Sequence, residues 1–186
     1  MAGELSGFLF ELGVLKRYPR SGWLVAGVAD PESVADHSFR TAILASVLAV
    51  QEGADPERAA LLGLFHDTQE ARLTDLHHLA QRYATRAPNE QVTADQVRGL
   101  PEPVAKMISR VVGEYEGGES SEAVCARDAD ALECLIQAVE YREQGNRNMQ
   151  PFIDTALPRL RTPSARRLAE EVLATGTVAW AERALD

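Results

Sequence analysis

The run Leu61-Leu62-Gly63-Leu64-Phe65-His66-Asp67-Thr68-Gln69-Glu70 sets an imidazole and two carboxylates at the end of an apolar helix. Burying such groups beside leucines and a phenylalanine is costly unless their charge is compensated. A divalent metal ion is the simplest compensation, and two further candidate ligands stand far away in the chain, at His37 and Asp130. Asp67 and Glu70 are three apart, so they share a helix face, and one can serve a metal while the other faces water. Adjacent His66 and Asp67 point about 100° apart around an ideal helix, so both reach one ion only near a helix end or distortion.

Several helices must position these groups. Leu5, Phe8, Leu9, Leu12 and Leu15 recur at three- and four-residue spacing and predict a first amphipathic helix over residues 4–16. It ends in Lys16-Arg17-Tyr18-Pro19-Arg20-Ser21-Gly22-Trp23, the most basic cluster of the chain, which reads as a solvated turn whose arginines cover the helix C-terminus or, once the later motifs are counted, as an anion clamp. Ser33 and Asp36 are spaced as a capping box for a second helix reaching about Glu52, apolar nearly all round and so expected to be buried, with His37 in its first turns. Asp55-Pro56 opens the helix that leads into His66-Asp67. Thr74 or Asp75 caps a short helix in which His77 and His78 read most simply as a solvated first turn.

Residues 84–100 predict a loop or short helix, and Val104, Ile108, Val111 and Tyr115 a further amphipathic helix ending at Gly117-Gly118. A long helix follows, from Ser120-Ser121 to about Gln144. Here periodicity puts Asp128 on the apolar stripe of Cys125, Leu132, Leu135 and Ile136, with Asp130 roughly opposite, so pattern alone selects Asp128 as the buried acid. Thr162-Pro163 caps a final helix to about Leu185. With no convincing strand, the expected fold is all-α: one compact helical bundle around one metal site, a single domain over residues 1–186.

Composition bounds the rest. The chain has 186 residues, 45% apolar and 25% charged, with a formal net charge of −9. That acidity argues against long nucleic acid as a partner, though not against a mononucleotide, since a metal and a few arginines supply local positive charge. Cys125 and Cys134 lie nine apart in one helix, too far to bridge, and read as free core thiols of a reducing compartment. The start lacks a basic leader and the longest apolar run, residues 42–50, is too short for a bilayer, so no membrane and a cytoplasmic location are expected.

Four blocks in order resemble the 5′-deoxynucleotidase branch of the HD metal-dependent phosphohydrolases. They are the cluster at residues 16–23, Pro31-Glu32-Ser33-Val34-Ala35-Asp36-His37-Ser38, His66-Asp67-Thr68-Gln69-Glu70, and Asp130-Ala131-Leu132-Glu133. The resemblance spans about residues 5–145, with the C-terminal helices of residues 147–185 expected to pack on that core. It implies metal ligands at His37, His66, Asp67 and Asp130, and so decides for Asp130 against the periodicity choice of Asp128. It further implies Glu70 as catalytic acid/base, Arg17 as the phosphate-orienting arginine, and Asp75 as the sugar contact. Tyr18, Leu76, His77 and His78 would complete the nucleotide site, although Leu76-His77-His78 departs from the Leu-Pro-Thr common in bacterial members.

The implied activity is hydrolysis of deoxynucleoside 5′-monophosphates to deoxynucleoside and phosphate, with one divalent ion (Mn, Co, Zn, Fe(II) or Mg) and a homodimeric assembly. Asp75 would accept a hydrogen bond from the 3′-OH and disfavour a 2′-OH. The alternatives are another HD-type nucleotide phosphohydrolase, a triphosphatase or phosphodiesterase, or a non-catalytic nucleotide-binding regulatory module. A triphosphatase is expected to need more basic residues than this acidic chain shows, and a two-metal phosphodiesterase further histidines.

Overall fold

The computed structural model describes residues 4–185. Residues 1–3, part of the start read as lacking a basic leader, lie outside the described residues. The helices follow one another as α1 Glu4–Leu12, α2 Ser21–Val25, α3 Val34–Glu52, α4 Pro56–Phe65, α5 Glu70–Leu73, α6 His78–Gln81, α7 Asn89–Gln96, α8 Glu102–Gly117, α9 Ser121–Glu143, α10 Gln150–Ala156, α11 Pro163–Ala174 and α12 Ala179–Leu185. Among the described residues there is no strand, only an isolated antiparallel bridge between Pro19 and Ser33. No described helix is long and apolar enough to cross a membrane.

The centre of the bundle is α9, against which α3, α4, α10 and α11 pack. Its alanines at 123, 126, 129, 131 and 138 are buried, and such small side chains let neighbouring helices approach on more than one side. α4 crosses α3 at Gly63, where a Cβ would sit 3.1 Å from the Thr41 carbonyl oxygen and the Ala42 Cα. Any larger residue would push the two backbones apart by a few tenths of an ångström, so glycine sets the spacing between His37, one turn away on α3, and His66, just beyond the end of α4.

Local signals place the helix starts. Ser33 and Asp36 form the reciprocal capping box. Asp55 caps α4, with Pro56 in its first turn, and Ser120 caps α9. α4 ends at Phe65, so His66 and Asp67 occupy the turn beyond a helix end and can converge.

Four expectations are corrected. α3 is not buried all round: Phe39 and Val50 are each 66% exposed, with Ile43 and Val47 also exposed between them. Neither Thr74 nor Asp75 caps α6. Thr74 takes a left-handed φ of 60°, Asp75 turns its carboxylate to the Ser21 N–H at 2.6 Å, and His77 caps instead, accepting from the Ala80 N–H. The final helix is two helices, because α11 stops at Ala174 and Gly176 lies in the break before α12. Cys134 is not a core thiol like Cys125 but is half-buried at the wall of a cleft.

Candidate metal centre

His37 on α3, His66 after α4 and Asp130 on α9 come together, with Asp67 beside the two histidines. His66 Nε2 is 3.0 Å from Asp67 Oδ2, His37 Nε2 is 3.3 Å from Asp130 Oδ1, and the two Nε2 atoms are 3.3 Å apart. The wider pairs are His37 to Asp67 at 3.8 Å and His66 to Asp130 at 4.0 Å. Ligands at roughly 2.0–2.2 Å from one ion stand about 3–4 Å from each other, so these separations suit a shared cation.

The chemistry of the donors agrees. His37 Nδ1–H donates to Glu133 Oε2 at 2.5 Å, and His66 Nδ1–H donates to the Gly63 carbonyl at 2.8 Å. With both Nδ1 atoms committed, each ring has its Nε2 electron pair left for an ion. Glu133 is itself held by Arg40, whose Nε and Nη2 donate to Glu133 Oε1 at 3.0 and 2.9 Å. Arg40 also reaches Glu140 and Gln137.

The electrostatics favour positive charge at this point. Burial and Arg20 oppose a proton on His37, yet Glu133 and Asp130 hold its pKa well above the ordinary value. Burial likewise opposes charge on Asp130, but His37, His66 and Arg159 keep it well below the usual carboxylate range. Donor types, spacing and orientation therefore fit a divalent ion held by His37, His66 and Asp130, whose ligand atoms all lie within 4.8 Å of one another, with Asp67 beside His66 as a fourth candidate.

Above the cluster opens a cleft of about 490 Å³, lined by Asp67, Glu70, Asp75, Leu76, His77, His78 and Asp130 among others. Glu70 is buried, and its Oε2 has no hydrogen-bond partner. Burial first, then Asp67 and Asp75, push its pKa up to about 10. The 74–78 segment is tied to the start of α2: Ser21 N–H donates to Asp75, and its hydroxyl oxygen accepts from His77 N–H at 3.0 Å. That pair of bonds sets Asp75, Leu76, His77 and His78 along one rim.

The structure does not bring Arg17 or Tyr18 into this cleft. Arg17 is exposed and, with Pro19, lines a separate cavity. Tyr18 is half-buried and lines neither. Residues 18–20 run extended, with Val34 N–H donating to the Tyr18 carbonyl and Arg20 N–H to the Glu32 carbonyl, both at 2.9 Å. Arg17 still has helical dihedrals, at the end of the turn before this segment, and Arg20, not Arg17, lines the cleft. Its Nη1 lies 3.3 Å from Asp67 Oδ2 and its Nη2 3.2 Å from Cys134 Sγ. Burial pushes that thiol up to about 11, so it stands there neutral.

Other lining residues carried no local signal. Pro151, Phe152, Thr155 and Arg159 come from α10 and the turn after it, read from sequence as packing only. Phe152 stacks on Trp23 with ring centroids 4.4 Å apart, giving the cleft an aromatic side. Asp128 is absent from the site. It is fully buried and accepts hydrogen bonds from Arg161 N–H, Thr162 N–H and the Thr162 hydroxyl.

Comparison with known proteins bears on the whole chain. Residues 12–172 match a family model described as an HD domain. A Bos taurus protein named 5′-deoxynucleotidase HDDC2 is 32% identical over 175 residues, 92% of this chain and 85% of its own. The protein of that name from Homo sapiens is 31% identical over 176 residues, 92% of this chain and 85% of its own. Among solved structures, a conserved hypothetical protein from Pyrococcus furiosus superposes with a TM-score of 0.75 at 33% identity, covering 91% of this chain and 99% of that one.

Proposed function

The chain belongs to the HD domain family, and on that premise we propose that it is a metal-dependent 5′-deoxynucleotidase, hydrolysing deoxynucleoside 5′-monophosphates to deoxynucleoside and phosphate. The observation that carries this reading is the convergence of His37, His66, Asp67 and Asp130 at the floor of a cleft walled by Glu70 and Asp75. The relatives named above bear that activity in their names. On this reading the whole chain is one catalytic domain, because α10 and the turn after it complete the cleft wall.

His37, His66, Asp67 and Asp130 would hold the ion. When bound, it supplies Lewis acidity: activation of water and charge compensation for the phosphoryl group. The chain's own residues do the remainder. Glu70, with Oε2 buried and unpartnered in the wall and its pKa raised to about 10, carries a proton that it hands to the departing 5′ oxygen. Arg20 takes the role first read for Arg17, orienting the phosphoryl group through N–H donors. Asp75 has one carboxylate oxygen bonded to Ser21 N–H and offers the other to the sugar 3′-OH. Phe152, backed by Trp23, provides a flat surface on which the base can lie.

Two nitrogen and two carboxylate ligands suit Mn, Co, Zn or Fe(II), with Mg the hardest alternative. A homodimer is proposed through α3. Phe39, Ile43, Val47 and Val50 repeat at three- and four-residue spacing on its exposed face, and Leu61 and Leu64 are exposed on the adjoining α4. A Val47→Glu variant should sediment as a monomer where the parent chain sediments as a dimer; equal sedimentation removes the dimer proposal.

The test of the activity is phosphate release from dAMP, AMP and dATP by the full chain loaded with Mn, Co or Mg, beside an Asp67→Ala variant. Release from dAMP that Asp67→Ala abolishes is the expected result. No release from dAMP with any of these ions would refute the nucleotidase reading. dATP belongs in the panel because Arg20, Arg86 and Arg159 line the cleft beside its acids, so the net charge of −9 does not by itself decide against a triphosphate.

A further inference from the structure

The turn between α10 and α11 carries Arg159, whose Nη2 lies 2.7 Å from Asp130 Oδ2. Asp130 is thus shared. Its Oδ1 faces His37 and the centre of the cluster, and its Oδ2 faces Arg159. On the other side, Arg20 Nη1 stands 3.3 Å from Asp67 Oδ2, the same oxygen that faces His66 and His37. Each carboxylate proposed as a ligand therefore has its own arginine, and both arginines line the cleft.

A stapling role for this ion pair is the simplest explanation, and it is insufficient. The turn is already fixed by Asp128, whose carboxylate accepts from Arg161 N–H at 2.9 Å, Thr162 N–H at 2.7 Å and the Thr162 hydroxyl at 2.7 Å. Buried Ala156 and Leu160 anchor it from either side. Against that, the Arg159 side chain is 43% exposed, and ion pairs exposed to water contribute little to stability. Only one guanidinium nitrogen is engaged with Asp130, while Arg carries five N–H donors in a planar fork suited to phosphate.

Charge counting points the same way. Two carboxylates cancel the charge of a divalent ion, and Glu133 is offset by Arg40. A phosphate monoester dianion entering such a centre finds no net positive charge there. Arg20 and Arg159 together supply two positive charges at the cleft, matching the dianion.

We propose that Arg159 binds the substrate phosphate, forming with Arg20 a two-arginine clamp over the paired carboxylates Asp67 and Asp130. This rests on reading the cleft as a phosphomonoester site. The site is then completed by a segment beyond residue 145, outside the blocks that carry the motifs.

The experiment is calorimetric titration of the full, Mn-loaded chain with inorganic phosphate, alongside steady-state kinetics on dAMP and thermal melts. The variants are Arg159→Gln, Arg159→Lys and, as a control for the turn itself, Thr162→Val. Arg159→Gln should weaken phosphate binding and raise the KM for dAMP by about 10- to 100-fold, the loss expected for a charge-assisted contact, with Tm nearly unchanged. Arg159→Lys should recover part of the binding. Phosphate affinity in Arg159→Gln within about twofold of the parent would overturn the proposal, as would a parent that binds no phosphate. So would an equal loss in Thr162→Val, since that makes Arg159 a reporter of turn docking. A parent that binds phosphate through Arg159 but hydrolyses no dAMP would refute the nucleotidase reading and leave the clamp standing.

Discussion

His37 Nε2 and His66 Nε2 lie 3.3 Å apart although they come from different helices and neither ring can turn away. His37 is tethered through Nδ1 to Glu133 and His66 through Nδ1 to the Gly63 carbonyl. Gly63 is also where α4 lies close against the α3 backbone, so a backbone contact in the core sets the distance between two buried imidazoles.

Such a pre-formed cluster predicts that divalent ions stabilise the fold. An ion at 100 times its Kd adds about 2.7 kcal/mol, which for a chain of this size raises Tm by roughly 5–10 °C. Melts with and without Mn in the parent chain and in Asp67→Ala test it. The shift should vanish in the variant, and a shift that persists would place the ion elsewhere.

Glu133 should matter for ion affinity without touching the ion. It is fully buried, 2.5 Å from His37 Nδ1 and bonded twice by Arg40. Partners of this kind typically contribute about 10- to 100-fold in metal affinity by fixing the ring and raising its basicity. Glu133→Gln should weaken Mn binding by about that factor, measured by competition with a chelating dye; Glu140→Gln, two turns away, should change it far less.

Arg17 and Arg20 separate what pattern and geometry each imply. The motif blocks point to Arg17, whereas the fold puts Arg20 in the cleft wall and leaves Arg17 exposed beside a separate cavity. Arg20→Gln should lower kcat/KM on dAMP by about 100-fold or more, as for removal of a donor to developing charge, and Arg17→Gln by less than about threefold. The reverse ranking would return the phosphate role to Arg17.

The same contrast explains how much of the molecule its sequence reveals. Caps, proline placement and apolar spacing place α3, α4, α8 and α9, since these signals are local. Asp130 comes from the family resemblance, since periodicity selects Asp128, whereas His37, His66 and Asp67 were legible as ligand-type groups set in or just beyond apolar helices. Residues such as Phe152 and Arg159 were not, because nothing within a few positions of them marks a cleft wall. Asp128 and Asp130 show the limit most clearly. Periodicity is right that Asp128 is buried, but an acid can be buried to hold a turn as well as to hold an ion.

Asp128→Ala should therefore be a stability variant. It leaves the Arg161 and Thr162 donors without their acceptor, and buried donors cost about 1–3 kcal/mol each when left unsatisfied. A loss of about 3 kcal/mol, or roughly 6–12 °C in Tm, should accompany near-parental Mn affinity. Asp130→Ala should do the opposite, abolishing ion binding with less effect on folding. Loss of ion binding in a folded Asp128→Ala chain would put the periodicity choice back in the site.

The last expectation concerns pH. Trp23 Nε1–H donates to Glu32 Oε1 at 2.9 Å, and burial, followed by the charge of Glu133, pushes the Glu32 pKa from 4.5 up to about 7. A carboxyl with a raised folded-state pKa binds more protons folded than unfolded, so its contribution to stability is fully present below about 4.5 and is lost as pH rises through about 7. The slope cannot exceed that of one proton, about 1.4 kcal/mol per pH unit. Glu32→Gln keeps an oxygen to accept from Trp23 and cannot ionise. In chelator-treated protein, urea unfolding between pH 4.5 and 7 should show the parent chain losing stability, relative to Glu32→Gln, as pH rises. Parallel curves for the two would mean that Glu32 binds as many protons unfolded as folded across that range, and so keeps its ordinary pKa in the fold.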